Sequence, residues 1–204
     1  DALKVVFEHI TTAESVEFVR GAGANVAATI TPHHLVINRN ALFAGGIRPH
    51  MFCLPVAKRE RHRLSLRDAA TSGEAAFFLG TDSAPHPLSA KEVDCGCAGI
   101  FNAPSALEVY AQVFDEEAAL ENLEAFASLN GAVFYGFSVN EDTVTLRRGV
   151  RGRDPLLSVN AEQILPFETG APLRWLVVDP SGGDLQHRRD ACIPKGSGAI
   201  ERSA

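Results

Sequence analysis

The 204-residue chain is 46% apolar and 22% charged, with a formal net charge of −6, which excludes a disordered or collagen-like chain and leaves enough apolar material for a core. Its negative charge is spread along the sequence without the basic stripe needed to follow a phosphate backbone, so no nucleic-acid partner is expected. The longest apolar runs, such as Ala75 to Leu79 and Trp175 to Val178, fall far short of the roughly 20 residues of a membrane-spanning helix.

The first element is the branched, apolar run Leu3 to Phe7, the pattern of a parallel strand buried on both faces. Because the chain opens at Asp1 and enters this strand at once, the opening reads as a cut through a domain. Glu8-His9 follow the strand, and Thr12 starts a helix that Gly21 and Gly23 stop. A second strand is expected at Val26 to Thr31. Pro32-His33-His34 then opens an irregular stretch, rich in Asn, Gly and Pro as far as Pro55, that is long enough to be a functional loop. Lys58 to Thr71 reads as an amphipathic helix and Ala76 to Gly80 as a third buried strand, ending in Thr81-Asp82-Ser83-Ala84-Pro85-His86. A second irregular stretch reaches Asn102. Helical patterns follow at Pro104 to Glu117 and Ala119 to Leu129, broken at Gly131 and Gly136. Short strand-like pieces come next, at Thr143 to Leu146 and Arg174 to Val178, and then a polar tail from Asp179 to Ala204.

Strands alternating with helices define an α/β fold with parallel strands. His9, His33 and Asp82 all fall just past strand C-termini, which in a (β/α)8 barrel is the catalytic face. Such a barrel takes about 250 residues, and three strand–helix units are found here. The expected organisation is therefore residues 1–140 as part of a TIM-type barrel, 141–178 as a short strand-like extension, and 179–204 as a disordered tail. Cys53, Cys95, Cys97 and Cys192, with no signal peptide in view, read as reduced thiols of a cytoplasmic protein.

The candidate chemical residues each admit a plainer role. His9 can point into a barrel mouth, or be an ordinary hydrogen-bonded histidine. Asp82, directly after an apolar strand, can hold a metal, or cap a helix. His86, stiffened by Pro85 and Pro87, can meet an anionic substrate group, or stand in solvent at a turn. His33, His34 and His50 are ambiguous, and on an extended segment His33 and His34 would point to opposite sides. Cys95-Gly96-Cys97 is a weak metal signal, since structural zinc sites need four ligands, and a loop-stabilising role is the expectation.

Read together, Val6-Phe7-Glu8-His9-Ile10-Thr11-Thr12, Ala28-Thr29-Ile30-Thr31-Pro32-His33-His34-Leu35, Gly46-Ile47-Arg48-Pro49-His50, Cys53-Leu54-Pro55, Leu79-Gly80-Thr81-Asp82-Ser83-Ala84-Pro85-His86, Cys95-Gly96-Cys97-Ala98-Gly99 and Phe101-Asn102-Ala103-Pro104 resemble the single-domain bacterial dihydroorotases. The motifs keep the family's order and spacing from about Leu3 to Trp175. The resemblance implies the C-terminal part of a (β/α)8 metal-dependent hydrolase barrel. It also implies two zinc ions bridged by a carboxylated lysine and a hydroxide, and reversible hydrolysis of dihydroorotate to carbamoyl aspartate. It assigns His9 to one zinc, Asp82 to the other zinc and to the general base, and His86 to the substrate carboxylate. Leu54 and Ala98 match positions whose backbone groups meet the pyrimidine-ring edge. The family's remaining ligands and its substrate-clamping arginine and asparagine would precede Asp1, so the isolated segment is expected to be inactive. A homodimer is compatible with the resemblance. Alternatives are another cyclic amidohydrolase, such as a hydantoinase or allantoinase, and a non-catalytic homologue acting as a binding subunit.

Overall fold

The computed structural model describes residues 3–152 and 154–178. The expected disordered tail, with Cys192, lies outside the described residues.

Three parallel strands form the sheet that organises the chain: β1 (Val5–Phe7), β2 (Val26–Ile30) and β3 (Phe77–Leu79), in the order β1-β2-β3. Their register pairs Phe7 with Ala28 and Ile30 with Leu79, so the C-terminal ends reach one rim. β2 is central and its Ala27, Ala28, Thr29 and Ile30 are all buried. β1 departs from the expectation of a strand buried on both faces: Val5 is 36% and Phe7 41% exposed. Among the described residues β1 pairs with β2 alone, and Phe7 meets the Phe18 ring edge-on at 5.3 Å with both exposed.

Helix α1 (Ala13–Gly21) begins where the sequence places it, because Thr12 and Ser15 form a reciprocal capping box, and it buries Val16 and Val19. The segment after β2 does not stay extended. Thr31 caps a short helix, α2 (Pro32–Val36), with Pro32 in its first turn, where its missing N–H costs nothing. His33 and His34 are therefore helical neighbours with ring centroids 4.5 Å apart, both buried, rather than side chains on opposite sides of a strand.

Helix α3 (Glu60–Thr71) packs on α1 and α2. Beyond β3 come the four-residue α4 (Leu88–Lys91) and then α5 (Ala106–Glu116), whose Val109, Tyr110, Val113 and Phe114 enter the main core. The Tyr110 hydroxyl donates to Ile30 O at 2.7 Å, which fastens α5 to the central strand.

Gly131 does not end the following helix. After a π-helical turn at Ala125–Leu129, α6 (Asn130–Tyr135) runs through it and stops at Gly136, which takes a left-handed conformation. A Cβ on Gly131 would lie 3.2 Å from the Phe78 ring, so close packing on β3 accounts for this glycine.

The last segment forms two antiparallel pairs. β4 (Thr145–Arg151) pairs with β7 (Leu173–Val178), which rests on α5, and β5 (Leu157–Val159) pairs with β6 (Glu162–Ile164). The β5–β6 hairpin has no counterpart in the sequence reading. Asn160 and Ala161 both adopt positive φ in its turn, and Ala161 lacks the glycine signature that marks such turns. Among the described residues no helix is long and apolar enough to cross a membrane.

Candidate active site at the strand ends

His9 and Asp82 follow β1 and β3, and both hold left-handed backbone conformations, φ 58° and 46°. Such a conformation is uncommon for residues other than glycine and turns each side chain sharply off the strand direction. Glycine enters next to Asp82 for a separate reason: a Cβ on Gly80 would lie 2.5 Å from Thr29 Cβ, so only glycine lets the end of β3 approach Thr29.

Thr29 orients His9. Its hydroxyl donates to Glu8 Oε2 at 2.6 Å and accepts the His9 backbone N–H at 2.8 Å. The same oxygen lies 3.3 Å from His9 Nδ1. With the hydroxyl proton committed to Glu8, Thr29 can only accept from Nδ1, so this network places a ring proton on Nδ1 and, in the neutral imidazole, leaves the lone pair on Nε2. That nitrogen faces Asp82 Oδ1 at 3.8 Å, and the two side chains are 23% and 29% exposed. Two electron-pair donors held face to face repel one another unless a cation or proton lies between them, and an imidazole oriented through its other nitrogen is the usual state of a metal ligand. Asp82 caps no helix among the described residues.

His86 lies beside this rim. Its ring rests against Gly99, where a Cβ would be 2.8 Å from His86 Cδ2 and 2.9 Å from Nε2. Gly99 takes φ 150° and is thereby the floor on which His86 sits. A cavity of about 260 Å³ opens next to it, lined by residues that include Arg48, His50, His86, Lys91 and Gly99. The loop carrying Ala98 runs alongside: Ala84 N–H donates to Ile100 O at 3.1 Å, and Ser83 and Ile100 form a parallel bridge. Leu54 is exposed on the facing segment, tied to the same loop by Gly99 N–H donating to Phe52 O at 2.9 Å. The backbone segments of Leu54 and Ala98, and the His86 ring, thus share one neighbourhood.

The other candidates differ in how far hydrogen bonds already engage them. His33 Nδ1 takes an N–H from Asn102 at 3.0 Å, and burial, with His34 and His9 nearby, holds its pKa well below the usual histidine value. His34 meets Thr31 Oγ1 at 2.7 Å and Pro55 O at 2.8 Å, and burial lowers its pKa to about 4. Ligand atoms of His33, His34 and Cys53 lie within 4.8 Å of one another. His34 Nε2 must nevertheless carry a proton to serve Pro55 O, and burial raises the Cys53 thiol to about 11, so hydrogen bonds account for His34 and Cys53, while the buried His33 Nε2 has no hydrogen-bond partner. His50 pairs with Glu92 at 2.9 Å near the surface. Cys95 and Cys97 are exposed free thiols.

The sequence reading passed over Lys91 and gave Asn102 no role beyond its place in the Phe101 to Pro104 motif. Asn102 links His33 to Thr81 O at 2.8 Å, one residue before Asp82. Asn102 joins His33 and Thr81 from 69 and 21 residues away, and Lys91 joins the nearby Cys97 and Gly99 to Phe52, 39 residues away.

Comparison with known proteins first places the fold. L-Hydantoinase from Arthrobacter aurescens superposes with a TM-score of 0.66 at 19% identity, over 86% of this chain and 43% of that one, a likeness of α/β fold alone. No family model matches the chain. Sequence then narrows the class. The chain is 60% identical over 176 residues to the dihydroorotase of Novosphingobium aromaticivorans, covering 86% of this chain and 51% of that protein. It is also 60% identical over 173 residues to that of Parasynechococcus marenigrum, covering 85% and 49%. The Saccharomyces cerevisiae dihydroorotase, solved in complex with 5-fluoroorotic acid, matches with a TM-score of 0.79 and 35% identity over 86% of this chain and 51% of that one. Over about 85% of its length the chain is similar in sequence to dihydroorotases, and it spans about half the length of the curated relatives it matches.

Proposed function

We propose that the chain supplies the His9–Asp82 side of a dihydroorotase active site. The complete protein, closing a (β/α)8 barrel, would reversibly hydrolyse the cyclic amide of dihydroorotate to N-carbamoyl-aspartate in pyrimidine biosynthesis. The observation that carries this reading is the pair of lone-pair atoms, His9 Nε2 and Asp82 Oδ1, facing each other at 3.8 Å within a sequence 60% identical to dihydroorotases.

The donor set fits zinc, which takes imidazole nitrogen and carboxylate oxygen readily. His9 and Asp82 would be this chain's ligands to a two-zinc centre. Zinc bound there supplies Lewis acidity to the amide carbonyl and makes water a nucleophile at neutral pH. Asp82 also acts as the base, taking a proton from the attacking water and delivering it to the ring nitrogen as the C–N bond breaks. His86 holds the substrate carboxylate, and backbone groups of Leu54 and Ala98 meet the ring edge.

The test is made in the complete enzyme that contains this chain. Dihydroorotate should be hydrolysed in preference to hydantoin, and His86→Ala should raise KM about tenfold or more with bound metal unchanged. Preference for hydantoin would overturn the substrate, and loss of metal from His86→Ala would overturn the role of His86.

A further inference from the structure

Lys91 is 2% exposed, yet it carries an ammonium. A buried charge is costly unless every proton finds an acceptor. Lys91 Nζ donates to Phe52 O at 3.0 Å, Cys97 O at 2.7 Å and Gly99 O at 2.8 Å, so all three protons are taken by backbone carbonyls. These carbonyls come from two separate segments, and they are the segments that carry Leu54 and Ala98.

We propose that Lys91 is a positioning residue for substrate binding, whose ammonium draws both segments onto one point and fixes the backbone groups presented to the pyrimidine ring. The proposal rests on the functional reading above. The Cys97 carbonyl belongs to the same planar peptide as the Ala98 N–H, and in a trans peptide the two point in opposite directions. Holding the oxygen on Lys91 therefore fixes where the Ala98 N–H points, and a charge-assisted bond to the oxygen makes that N–H a stronger donor.

Phe52 O is held twice, by Lys91 and by the Gly99 N–H at 2.9 Å, which couples the Leu54 segment to the Ala98 loop. Gly99 in turn supports the His86 ring. Three substrate-contact positions thus depend on one ammonium. Without a cation, the negative ends of three carbonyl dipoles would converge on an empty centre, and the loop would relax away from it. Pro55 O is pinned from the opposite side by His34 Nε2 at 2.8 Å and Cys53 Sγ at 3.4 Å, so release of Lys91 frees the 97–99 loop more than the turn at Pro55.

Lys91→Met and Lys91→Gln are to be compared in the complete enzyme. Lys91→Met removes all three donors and should raise KM for dihydroorotate about tenfold or more, with kcat within about threefold and bound metal unchanged. Lys91→Gln keeps an amide donor and should show a smaller rise of the same kind, and it decides the matter if Lys91→Met does not fold. Unchanged KM in a folded variant, whatever its thermal stability, would show that Lys91 only braces the fold. A fall in kcat with loss of metal would place its effect at His9 and Asp82 instead and overturn the proposal. If the unsubstituted enzyme does not turn over dihydroorotate, the functional reading fails, and the assigned role fails with it.

Discussion

Two pairs of oppositely chargeable side chains differ sharply in what surrounds them. Arg151 and Glu108, on β4 and α5, are 4% and 3% exposed and in direct contact. Arg151 also reaches Asp154 at 2.6 Å and Pro104 O at 2.8 Å, and the Val177 N–H points at Glu108 from 3.4 Å. His9 and Asp82 are partly wetted, 3.8 Å apart, and held on left-handed backbone. The buried pair is committed to joining the antiparallel extension to α5. The rim pair keeps electron pairs unspent and facing one another. Removal of a group should cost stability in the first region and chemistry in the second.

The largest effect is expected at the buried pair. Arg151→Met leaves Glu108 enclosed without its cation, which should destabilise the protein by about 3–5 kcal/mol, read from urea unfolding of the complete enzyme. Replacing both residues with apolar ones, Arg151→Met with Glu108→Leu, should recover most of that loss. A single variant as stable as the parent would erase the contrast between the two regions.

Acid sharpens the comparison in the interior. Burial holds His33 and His34 below the ordinary histidine pKa of 6.5, His34 at about 4, so both stay neutral in the fold. The unfolded chain binds protons below about pH 6.5 that the folded chain refuses, so stability falls as pH drops from 6.5 toward 4. The His34 contribution is on the order of 3 kcal/mol by pH 4. Urea midpoints at pH 7, 5.5 and 4.5 measure this, and His34→Gln should flatten the slope. A slope identical to the parent's would contradict the assignment.

A smaller effect is expected at Tyr110, buried with its hydroxyl on Ile30 O. Tyr110→Phe keeps the ring packing and leaves that carbonyl with one bond fewer, a loss of about 1 kcal/mol in urea unfolding. A loss several times larger would mean that the hydroxyl also organises the strand end.

Much of this architecture is legible locally. Short apolar runs give the three parallel strands, and Thr12 gives the start of α1. Asp82 stands out because an aspartate just after an apolar strand has few packing reasons to be there, whereas His9 taken alone is ambiguous and gains its role from the family resemblance. What escapes local reading depends on partners far along the chain. His33 and His34 look extended until Thr31 and Pro32 are seen to start a helix. Lys91 reads as one more surface lysine after Pro87, and only the approach of Phe52 and Gly99 buries it. The same holds for Arg151, whose partner Glu108 lies on a different element.

The central claim is that the facing pair at the rim performs the chemistry. Asp82→Asn, made in the complete enzyme and assayed for dihydroorotate hydrolysis alongside urea unfolding, tests it most directly. The expected result is a loss of turnover of about 10²-fold or more with the unfolding midpoint nearly unchanged, because the base is removed and nothing buried is left unpaired. Turnover above roughly a tenth of the parent's would contradict the account, since loss of a general base alone typically costs 10²-fold.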